Sequence, residues 1–415
     1  MSFIEVIGGR PLSGEIKVQG SKNAALPLLA AAVLHRGESR IKNCPGIRDI
    51  GNMEVLLGQF GCRTRREERT LIIDASGVAD GIVTGAEVKR TRASVLFMGA
   101  LSGRGRHAAI AYPGGCSIGE RKIDFHIDAL RKMRVKVEEK DGMLCFDAKE
   151  LCGSDIVLKF PSVGATENII LAAVLARGTT RIQNAATEPE IGILCEFLNG
   201  AGARIACRGS SITIEGVKEL RDTEYVLPGD RIVAGTYLTA AAGTGGKVRV
   251  AGVRKEEMNS LIAVLREAGC EISADTGSVT LSAKLPLRAV SLATAPYPGF
   301  PTDMQSLMMA LMCGASGESR ITETIFENRF HTAGELARMG AEIRVEGNTA
   351  SITGGGGLTG AEVTAGDLRD GAALVTAGLF AKGRTTVRDP EDYIRRGYED
   401  ITGDLRKLGA CVREY

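Results

Sequence analysis

The sequence of 415 residues lacks several patterns that assign a chain to a particular class of protein. Its ten cysteines form no Cys-x-x-Cys pair and no framework spacing, which favours reduced thiols over disulfides. Its four histidines contain no His-x-x-x-His pair or other metal-binding spacing, so we expect neither a metal nor an organic cofactor. Its net charge of +2 is too close to balance to indicate nucleic acid or a membrane surface as a partner.

Long hydrophobic runs are also missing from the sequence. The longest apolar stretches, such as residues 24–34, are far shorter than a membrane-spanning helix. The first ten residues lack the charged-then-apolar order of a signal peptide. Hydrophobic residues make up 44% and charged residues 25% of the chain, which is average for a soluble globular protein. We therefore expect a soluble, cytoplasmic protein.

The sequence does contain an internal repeat. One phrase, at the end of a predicted helix, recurs six times, beginning at Leu57, Leu130, Leu198, Leu265, Leu336 and Leu405. Neighbouring copies lie about 70 residues apart, so six units account for the length of the chain. Each copy is predicted to run strand, helix, strand, helix and then a strand pair, or βαβαββ. Because one unit cannot bury both helix faces alone, we expect an α/β (α+β) fold of two domains. Each domain should hold three repeats, with helices inside and sheets outside.

The first helices of the repeats begin with cations more often than expected. Lys22, Arg92, Arg231 and Arg369 lie at equivalent first turns, where the positive end of the helix dipole disfavours a cation. An anionic ligand held between these cations and the helix N-termini would explain them. Any one of them is explained as well by a solvated charge, but four at equivalent positions are not. If the two domains face each other, these turns line one positive cleft.

One repeat departs from the pattern around a cysteine. Residues 113–119 read PGGCSIG, a glycine-rich hairpin with Cys116 at its tip and Arg121 just beyond it. Glycines allow sharp bending, and a nearby arginine favours the thiolate. Most cysteines in such a chain are small core residues. The place of Cys116 in the only irregular repeat nevertheless favours a reactive thiol on a mobile lid that excludes water.

Six motifs, in order along the chain, resemble those of one enzyme family. They are KNAALP at 22–27, PGGCSIG at 113–119, SVGAT at 162–166, FPTDMQ at 300–305, FENRF at 326–330 and RGYE at 396–399. From end to end the sequence resembles the UDP-N-acetylglucosamine 1-carboxyvinyltransferases. The resemblance implies a two-domain inside-out α/β barrel of six βαβαββ repeats, with residues 21–229 in one domain and 1–20 plus 230–415 in the other.

The resemblance also implies a reaction and roles for single residues. Enolpyruvate would pass from phosphoenolpyruvate to the 3-hydroxyl of UDP-N-acetylglucosamine, the committed step of peptidoglycan synthesis. Cys116 would protonate the enol carbon and can hold a phospholactoyl adduct, while Asp303, which also suits an N-cap, would accept the proton of the sugar hydroxyl. Lys22, Arg121 and Arg396 would bind phosphoenolpyruvate.

For the UDP-sugar, the positions that match the family's motifs run along both halves of the chain. They are Asn23, Arg92, Arg121, Lys122, Ile123, Asp124, Phe125, Phe160, Pro161, Ser162, Val163, Gly164, Asp303 and Ile325. Backbone N–H groups of residues 162–164 would meet the diphosphate. Arg329 and Arg369 match as phosphate-side or supporting groups.

Three other interpretations stay open. The sister transferase that acts on shikimate 3-phosphate is one, although that family lacks the cysteine lid. A catalytically silent paralogue that binds the UDP-sugar is suggested by departures from the family pattern, such as Glu120, Lys122 and Arg395. An RNA-end-processing enzyme on a related repeat fold would require a nucleophilic histidine and a more basic surface, and neither is evident. The sequence does not indicate the oligomeric state.

Overall fold

The structure is a computed structural model that describes residues 2–83, 88, 91–112, 119 and 122–415. The chain separates into two compact units. The terminal unit comprises Met1–Gln19, Ser117–Glu120 and Pro228–Tyr415, and the central unit comprises Gly20–Cys116 and Arg121–Leu227. Of the segment Ser117–Glu120, only Gly119 is described. The predicted domain limits, 21–229 and 1–20 with 230–415, stay predictions.

The helices follow one another at regular intervals along the described residues. They are α1 (Lys22–Ala31), α2 (Arg48–Gln59), α3 (Leu96–Gly103), α4 (Asp124–Lys132), α5 (Val163–Ala173), α6 (Pro189–Gly200), α7 (Arg231–Gly243), α8 (Asn259–Glu267), α9 (Gln305–Cys313), α10 (His331–Arg338), α11 (Leu368–Phe380) and α12 (Ile401–Lys407). Short 3-10 turns span Ala32–Leu34, Arg92–Val95, Lys255–Met258, Thr302–Met304 and Ile394–Arg396. No described helix is long and apolar enough to cross a membrane.

The strands alternate with the helices in the predicted order. They are β1 (Ser2–Ile7), β2 (Ser13–Lys17), β3 (Glu38–Lys42), β4 (Arg63–Glu67), β5 (Thr70–Asp74), β6 (Gly81–Val83), β7 (His107–Ala111), β8 (Lys136–Lys140), β9 (Met143–Asp147), β10 (Asp155–Val157), β11 (Thr179–Gln183), β12 (Arg204–Arg208), β13 (Ser211–Glu215), β14 (Thr223–Val226), β15 (Lys247–Ala251), β16 (Glu271–Ala274), β17 (Ser278–Ser282), β18 (Leu292–Ala293), β19 (Glu318–Thr322), β20 (Glu342–Glu346), β21 (Thr349–Thr353), β22 (Glu362–Thr364), β23 (Arg384–Asp389) and β24 (Cys411–Glu414).

The first helices of the repeats form the centre of each unit. In the central unit α1, α3 and α5 consist almost entirely of apolar and small residues, and nearly all their side chains are buried. A helix that is apolar on every side has no face to present to water. Gly99 lets α3 approach α5, because a Cβ at this position would lie 2.4 Å from the carbonyl oxygen of Asn168. Helices α7, α9 and α11 play the same part in the terminal unit.

The sheets lie outside these helices, which confirms the predicted inside-out α/β fold. The described residues form six sheets of four strands. In one of them β10 runs parallel to β11, and β11, β13 and β12 follow as antiparallel neighbours. Side chains alternate between the two faces of strand β13. Ile212 and Ile214 are buried on the inner face of the sheet, whereas Ser211 and Glu215 are exposed.

Three strands join sheets to which their neighbours in the chain do not belong. Strand β2 pairs in parallel with β15 of the terminal unit, whereas β14 pairs in parallel with β3 of the central unit. The sixth copy has only one strand, β24, after its second helix. Strand β1, from the beginning of the chain, lies between β23 and β24 and completes that sheet. The first strand and the last two strands of the chain therefore belong to one sheet.

Candidate active site

Lys22 lies in the first turn of α1 and is held by a carboxylate from a second helix. Ser21 caps α1, its side chain accepting a hydrogen bond from the N–H of Ala24 at 3.4 Å. The Lys22 Nζ lies 2.8 Å from Asp49 Oδ2, and the two side chains are 11% and 3% exposed. Asp49 is in the first turn of α2, where the helix dipole favours an anion. The neighbouring Asn23 is half-buried.

Arg92 links two segments that the sequence analysis assigned to the UDP-sugar. Its Nη2 donates a hydrogen bond to the backbone carbonyl of Lys122 at 3.3 Å. Lys122 is exposed, whereas the next residue, Ile123, is buried at the beginning of α4. Asp124 is exposed in the first turn of α4, and Phe125 packs against the core of the central unit. Arg92 therefore contacts the backbone just before α4.

Two predicted residues of this region, Cys116 and Arg121, lie outside the described residues. Their proposed roles stay predictions. Gly119, which is described, has a φ of +141°, and a Cβ there would lie 2.4 Å from Glu327 Oε2. A side chain at position 119 would require both a strained backbone and displacement of that carboxylate.

The turn at 160–164 presents the N-terminus of α5. The Ser162 Oγ accepts from the N–H of Ala165 at 3.4 Å, and the N–H of Ser162 donates to the carbonyl of Phe160 at 2.7 Å. Phe160 is exposed, and Pro161, Ser162, Val163 and Gly164 are half-buried. Because the first turn of a helix leaves N–H groups without an intrahelical acceptor, this turn is suited to an anion.

A buried histidine and asparagine connect α3, α4 and α5 close to this turn. The Asn168 Nδ2 lies 2.6 Å from His126 Nδ1 and 3.0 Å from the carbonyl oxygen of Val95. The Asn168 Oδ1 accepts from the N–H of Gly99 at 2.6 Å. Since the amide nitrogen can only donate, His126 Nδ1 accepts and the ring proton is on Nε2. A Cβ on Gly164 would lie 3.0 Å from the His126 ring.

In the terminal unit, Asp303 lies between two buried arginines. Its Oδ1 accepts from Arg329 Nη2 at 3.0 Å, and its Oδ2 accepts from Arg369 Nη2 at 2.8 Å. The carboxylate is 26% exposed, while the arginine side chains are 3% and 6% exposed. Asp303 is thus the most exposed of these three side chains, which we call the Asp303 cluster.

Arg369 belongs to the first turn of α11. The capping Asp367 accepts from the N–H of Arg369 at 2.6 Å and from the N–H of Asp370 at 2.9 Å. Burial alone would lower the pKa of Arg369. Interactions with Asp303 above all, and with Tyr398 and Asp230, outweigh burial and hold that pKa above its ordinary value, so the guanidinium stays charged.

The two arginines retain unused hydrogen-bond donors. Among the described residues, Arg329 Nε, Arg329 Nη1 and Arg369 Nη1 are buried without an acceptor. Leaving a charged donor unpaired in the interior is costly. The Arg329 guanidinium also lies 5.3 Å from the centre of the Phe326 ring. Next to this ring, Ile325 is half-buried, and its N–H donates to Glu323 Oε1 at 2.8 Å.

A second acid, Asp370, lies behind the Asp303 cluster. It is 2% exposed, and its Oδ1 accepts from Ser306 Oγ at 3.1 Å and from the hydroxyl of Thr332 through a short hydrogen bond. Burial, and then the charge of Asp367, raise the pKa of Asp370 to about 6, against the opposing hydrogen bonds of Thr332 and Ser306.

Arg396 ends a 3-10 turn whose next residues are held by Gln19. The Gln19 Nε2 donates to the carbonyl of Gly397 at 3.0 Å, and its Oε1 accepts from the N–H of Glu399 at 2.8 Å. Gln19 is buried, and Arg396 is half-buried. The preceding Arg395 turns away to the surface, where it donates twice to Glu414 Oε1, at 3.1 and 2.6 Å.

Comparisons with known proteins place the chain in a family. The sequence model of EPSP synthase (3-phosphoshikimate 1-carboxyvinyltransferase) matches residues 6–405. A protein of Caldanaerobacter subterraneus subsp. tengcongensis named UDP-N-acetylglucosamine 1-carboxyvinyltransferase 2 is 47% identical over 99% of both chains. UDP-N-acetylglucosamine 1-carboxyvinyltransferase 1 of Symbiobacterium thermophilum is 48% identical over 98% of this chain and 94% of its own. The chain belongs to the UDP-N-acetylglucosamine 1-carboxyvinyltransferase family.

Solved structures agree with this family's fold. The enolpyruvyl transferase NikO from Streptomyces tendae superposes with a TM-score of 0.89 and 25% identity, over 100% of this chain and 98% of its own. The EPSP synthase of Acinetobacter baumannii superposes with a TM-score of 0.77 at 17% identity, over the whole of both chains, and shows the shared fold. The predicted fold and the resemblance to this family of enolpyruvyl transferases are confirmed.

The structure brings some of the predicted family residues together and adds others. Asp303, Arg329 and Arg369 are in direct contact, and the arginines were expected as phosphate-side or supporting groups. Lys22 contacts Asp49, and Gln19 supports the loop after Arg396; neither Asp49 nor Gln19 was identified from the sequence. No local pattern signals either contact. Among the described residues, no three His, Cys, Asp or Glu side chains converge as they would around a metal ion.

Proposed function

We propose that this protein transfers the enolpyruvyl group of phosphoenolpyruvate to the 3-hydroxyl of UDP-N-acetylglucosamine and releases phosphate. The observation that carries the proposal is 47% identity to a UDP-N-acetylglucosamine 1-carboxyvinyltransferase over 99% of both chains. The reaction implies a role in peptidoglycan synthesis, and through it in cell shape and cell division. A cytoplasmic site of action is part of the same proposal.

Asp303 is the proposed base for the first step. The sugar hydroxyl oxygen attacks the central carbon of phosphoenolpyruvate, and the hydroxyl proton passes to the Asp303 carboxylate. Both oxygens of that carboxylate accept hydrogen bonds from arginines, so its orientation is set before substrate arrives. Its exposure of 26%, against 3% for Arg329, leaves it accessible to the hydroxyl.

Cys116 is the proposed acid for the same step. Its S–H proton passes to the methylene carbon, so a tetrahedral adduct forms with a new methyl group. Phosphate then leaves as its C–O bond breaks, and the methyl group loses a proton to give the enol ether. A glycine-rich hairpin suits a thiol that must approach the substrate and then withdraw.

Phosphoenolpyruvate carries a phosphate and a carboxylate, and it needs several cations. We assign Lys22, Arg121 and Arg396 to it. Arg329 and Arg369, which hold Asp303, are assigned to the phosphate side of the site or to its support. The guanidinium of Arg369 stays charged despite burial, which supports an electrostatic role.

The UDP-sugar is assigned to residues that surround two helix beginnings. The exposed N-terminus of α5, with Ser162 as its cap, offers backbone donors to the diphosphate. Arg92 and the backbone that it holds at Lys122 border the beginning of α4. The other positions assigned to this substrate are Asn23, Ile123, Asp124, Phe125, Phe160, Pro161, Val163, Gly164 and Ile325.

A phosphate-release assay with two acceptors tests the proposal. Phosphoenolpyruvate with UDP-N-acetylglucosamine should release phosphate, and phosphoenolpyruvate with shikimate 3-phosphate should not. The second acceptor is included because the matching family model describes the 3-phosphoshikimate enzyme. The reverse preference would assign the chain to that sister activity, and tight UDP-sugar binding without phosphate release would indicate a silent paralogue.

A variant in the same assay tests the proposed acid. Cys116→Ala should lose phosphate release at neutral pH, because no other group is assigned to protonate the methylene carbon. Cys411→Ala, a half-buried thiol on β24, is the matched control and should retain it. Unchanged turnover of Cys116→Ala would remove Cys116 from the mechanism.

A further inference from the structure

Two thiols of the central unit lie in contact, far along the chain from the proposed catalytic cysteine. The sulfur atoms of Cys195 and Cys207 are 3.5 Å apart. Cys195 is 5% exposed on α6, and Cys207 is exposed on β12. Between the described cysteines, this is the one sulfur–sulfur hydrogen bond in the structure. The pair combines a thiol that solvent reaches with a second thiol directly behind it.

A side chain of α6 binds the backbone of β12 close to the two sulfur atoms. Asn199 lies one helical turn after Cys195, on the same side of α6. Its amide makes two hydrogen bonds to Ile205: Nδ2 donates to the carbonyl at 3.0 Å, and Oδ1 accepts from the N–H at 2.9 Å. Cys207 is two residues beyond Ile205 on β12, so both side chains leave the strand on the same face. The contact between the thiols is therefore built by α6 and β12.

The contact shifts the pKa values of the two thiols in opposite directions. The hydrogen bond between the two thiols lowers the pKa of Cys207 to about 7, although burial opposes this. The same hydrogen bond, followed by burial, raises the pKa of Cys195 above its ordinary value. Cys207 is thus the thiol that loses its proton more readily near neutral pH, and Cys195 holds its proton more tightly. By contrast with Cys207, the thiols of Cys62 and Cys313 have a pKa that burial raises to about 12.

We infer that Cys195 and Cys207 form a reversible disulfide when the protein meets a peroxide. In the first step the Cys207 thiolate attacks one peroxide oxygen, the O–O bond breaks, and a sulfenic acid forms as hydroxide leaves. In the second step the Cys195 sulfur attacks the Cys207 sulfur, the S–S bond forms, and the S–O bond breaks. The oxygen leaves as water with the Cys195 proton. Two thiols are oxidised, and one hydrogen peroxide is reduced to two waters.

Neither step uses Cys116 or a substrate, so this inference is independent of the proposed function. The disulfide would tie α6 to β12, which is an edge strand of its sheet. A thiol reductant would reverse it, since exchange requires only that a thiolate reach the exposed Cys207 sulfur.

Peptide mapping of the peroxide-treated full chain tests the inference. Trypsin cleaves after Arg181, Arg204 and Arg208, so Cys195 falls in peptide 182–204 and Cys207 in peptide 205–208. In the wild type these two peptides should remain joined without reductant and separate with it. The half-buried Cys411 makes no hydrogen bond to another described cysteine, and Cys411→Ala should show the same joined peptides.

Two variants test the order of the steps. Cys195→Ala should leave the sulfenic acid of Cys207 available to dimedone, and Cys207→Ser should leave Cys195 unlabelled and unlinked. Alkylation of Cys207 in the wild type should follow a pKa near 7, and in Cys195→Ala that pKa should rise because the hydrogen bond is lost.

Free 182–204 and 205–208 peptides after peroxide treatment of the wild type would overturn the inference. A joined pair that persists in Cys207→Ser, or that disappears in Cys411→Ala, would also overturn it. If Cys195→Ala fails to fold, the comparison of the wild type with Cys411→Ala still decides the outcome.

Discussion

Asp303 concentrates the proposed chemistry on a single carboxylate. Its oxygens are 3.0 and 2.8 Å from two arginines that are almost fully buried, so its position depends on Arg329 and Arg369. The arginines in turn need a carboxylate, because buried cations without a counter-charge are costly. The cluster is therefore both a structural unit and the place where the sugar proton is expected to go.

Replacing Asp303 with asparagine removes the base, and with it the negative charge between the two arginines, while the size of the side chain is kept. We expect the turnover number for phosphate release to fall by about 10²–10⁴-fold, the usual contribution of a general base. The binding of phosphoenolpyruvate, measured by calorimetry, should persist, because the arginines retain their charge. Asp155→Asn, at an exposed carboxylate on β10, is the matched control. Turnover of Asp303→Asn within twofold of this control would contradict the assigned role.

Asp370 predicts a pH dependence of stability. Its pKa is raised from 3.8 to about 6 on folding, so the native state holds this proton more tightly than the unfolded state. The stabilisation of the native state by this proton is complete below pH 3.8 and is lost as the pH rises through about 6. Asp370→Asn lacks it. Between pH 3.8 and 7, the unfolding free energy of the wild type should fall relative to that of the variant by up to about 3 kcal/mol.

Urea unfolding of the wild type and of Asp370→Asn, at several pH values across this range, measures the difference directly. A difference that stays constant, or that changes in favour of the wild type as the pH rises, would contradict the raised pKa.

Among the elements, the loop after Arg396 depends on a residue from the other end of the chain. Gln19 holds this loop through Gly397 and Glu399, and both contacts are buried or partly buried. Leucine at position 19 would leave the carbonyl of Gly397 and the N–H of Glu399 without these partners. The loop would then shift, and Arg396 with it. Gln19 is in this sense a positioning residue for phosphoenolpyruvate.

Steady-state kinetics of Gln19→Leu should show this selectively. We expect the KM for phosphoenolpyruvate to rise about tenfold, as the loss of a buried hydrogen bond would produce, with a much smaller change for the UDP-sugar. Arg395→Ala is the control, because Arg395 precedes Arg396 but is paired with Glu414 at the surface. Equal effects on both substrates, or the same effect from Arg395→Ala, would contradict a positioning role.

The helices and strands are the part of the fold that the sequence predicts well. Apolar first helices such as α3, amphipathic second helices such as α4 and alternating strands such as β13 all carry local patterns. The completion of the last sheet by β1 is not predicted, because a short alternating strand does not specify its partner. Pairing of the first strand with the last two is a property of the folded chain.

The candidate site divides in the same way between local and long-range information. Cys116 and Asp303 stand in motifs that carry their own signal. The Lys22–Asp49 pair has no such signal. The two contacts of Gln19 have none either, and they span 378 and 380 residues of sequence. Their partners are defined only when distant segments fold together, so a single sequence cannot indicate them.

At the scale of the whole molecule, the proposed reaction attaches the three carbon atoms of the enolpyruvyl group to the UDP-sugar. Phosphate release alone does not establish it, because simple hydrolysis of phosphoenolpyruvate would also release phosphate. The fold does not establish it either, since the EPSP synthase of Acinetobacter baumannii has the same architecture at 17% identity.

The most direct test is mass analysis of the nucleotide product formed from phosphoenolpyruvate and UDP-N-acetylglucosamine by the purified protein. We predict a UDP-sugar heavier by one enolpyruvyl group, bound as an ether at the 3-hydroxyl, with one phosphate released for each product molecule. Recovery of unaltered UDP-N-acetylglucosamine, while phosphoenolpyruvate is consumed or left intact, would contradict the account.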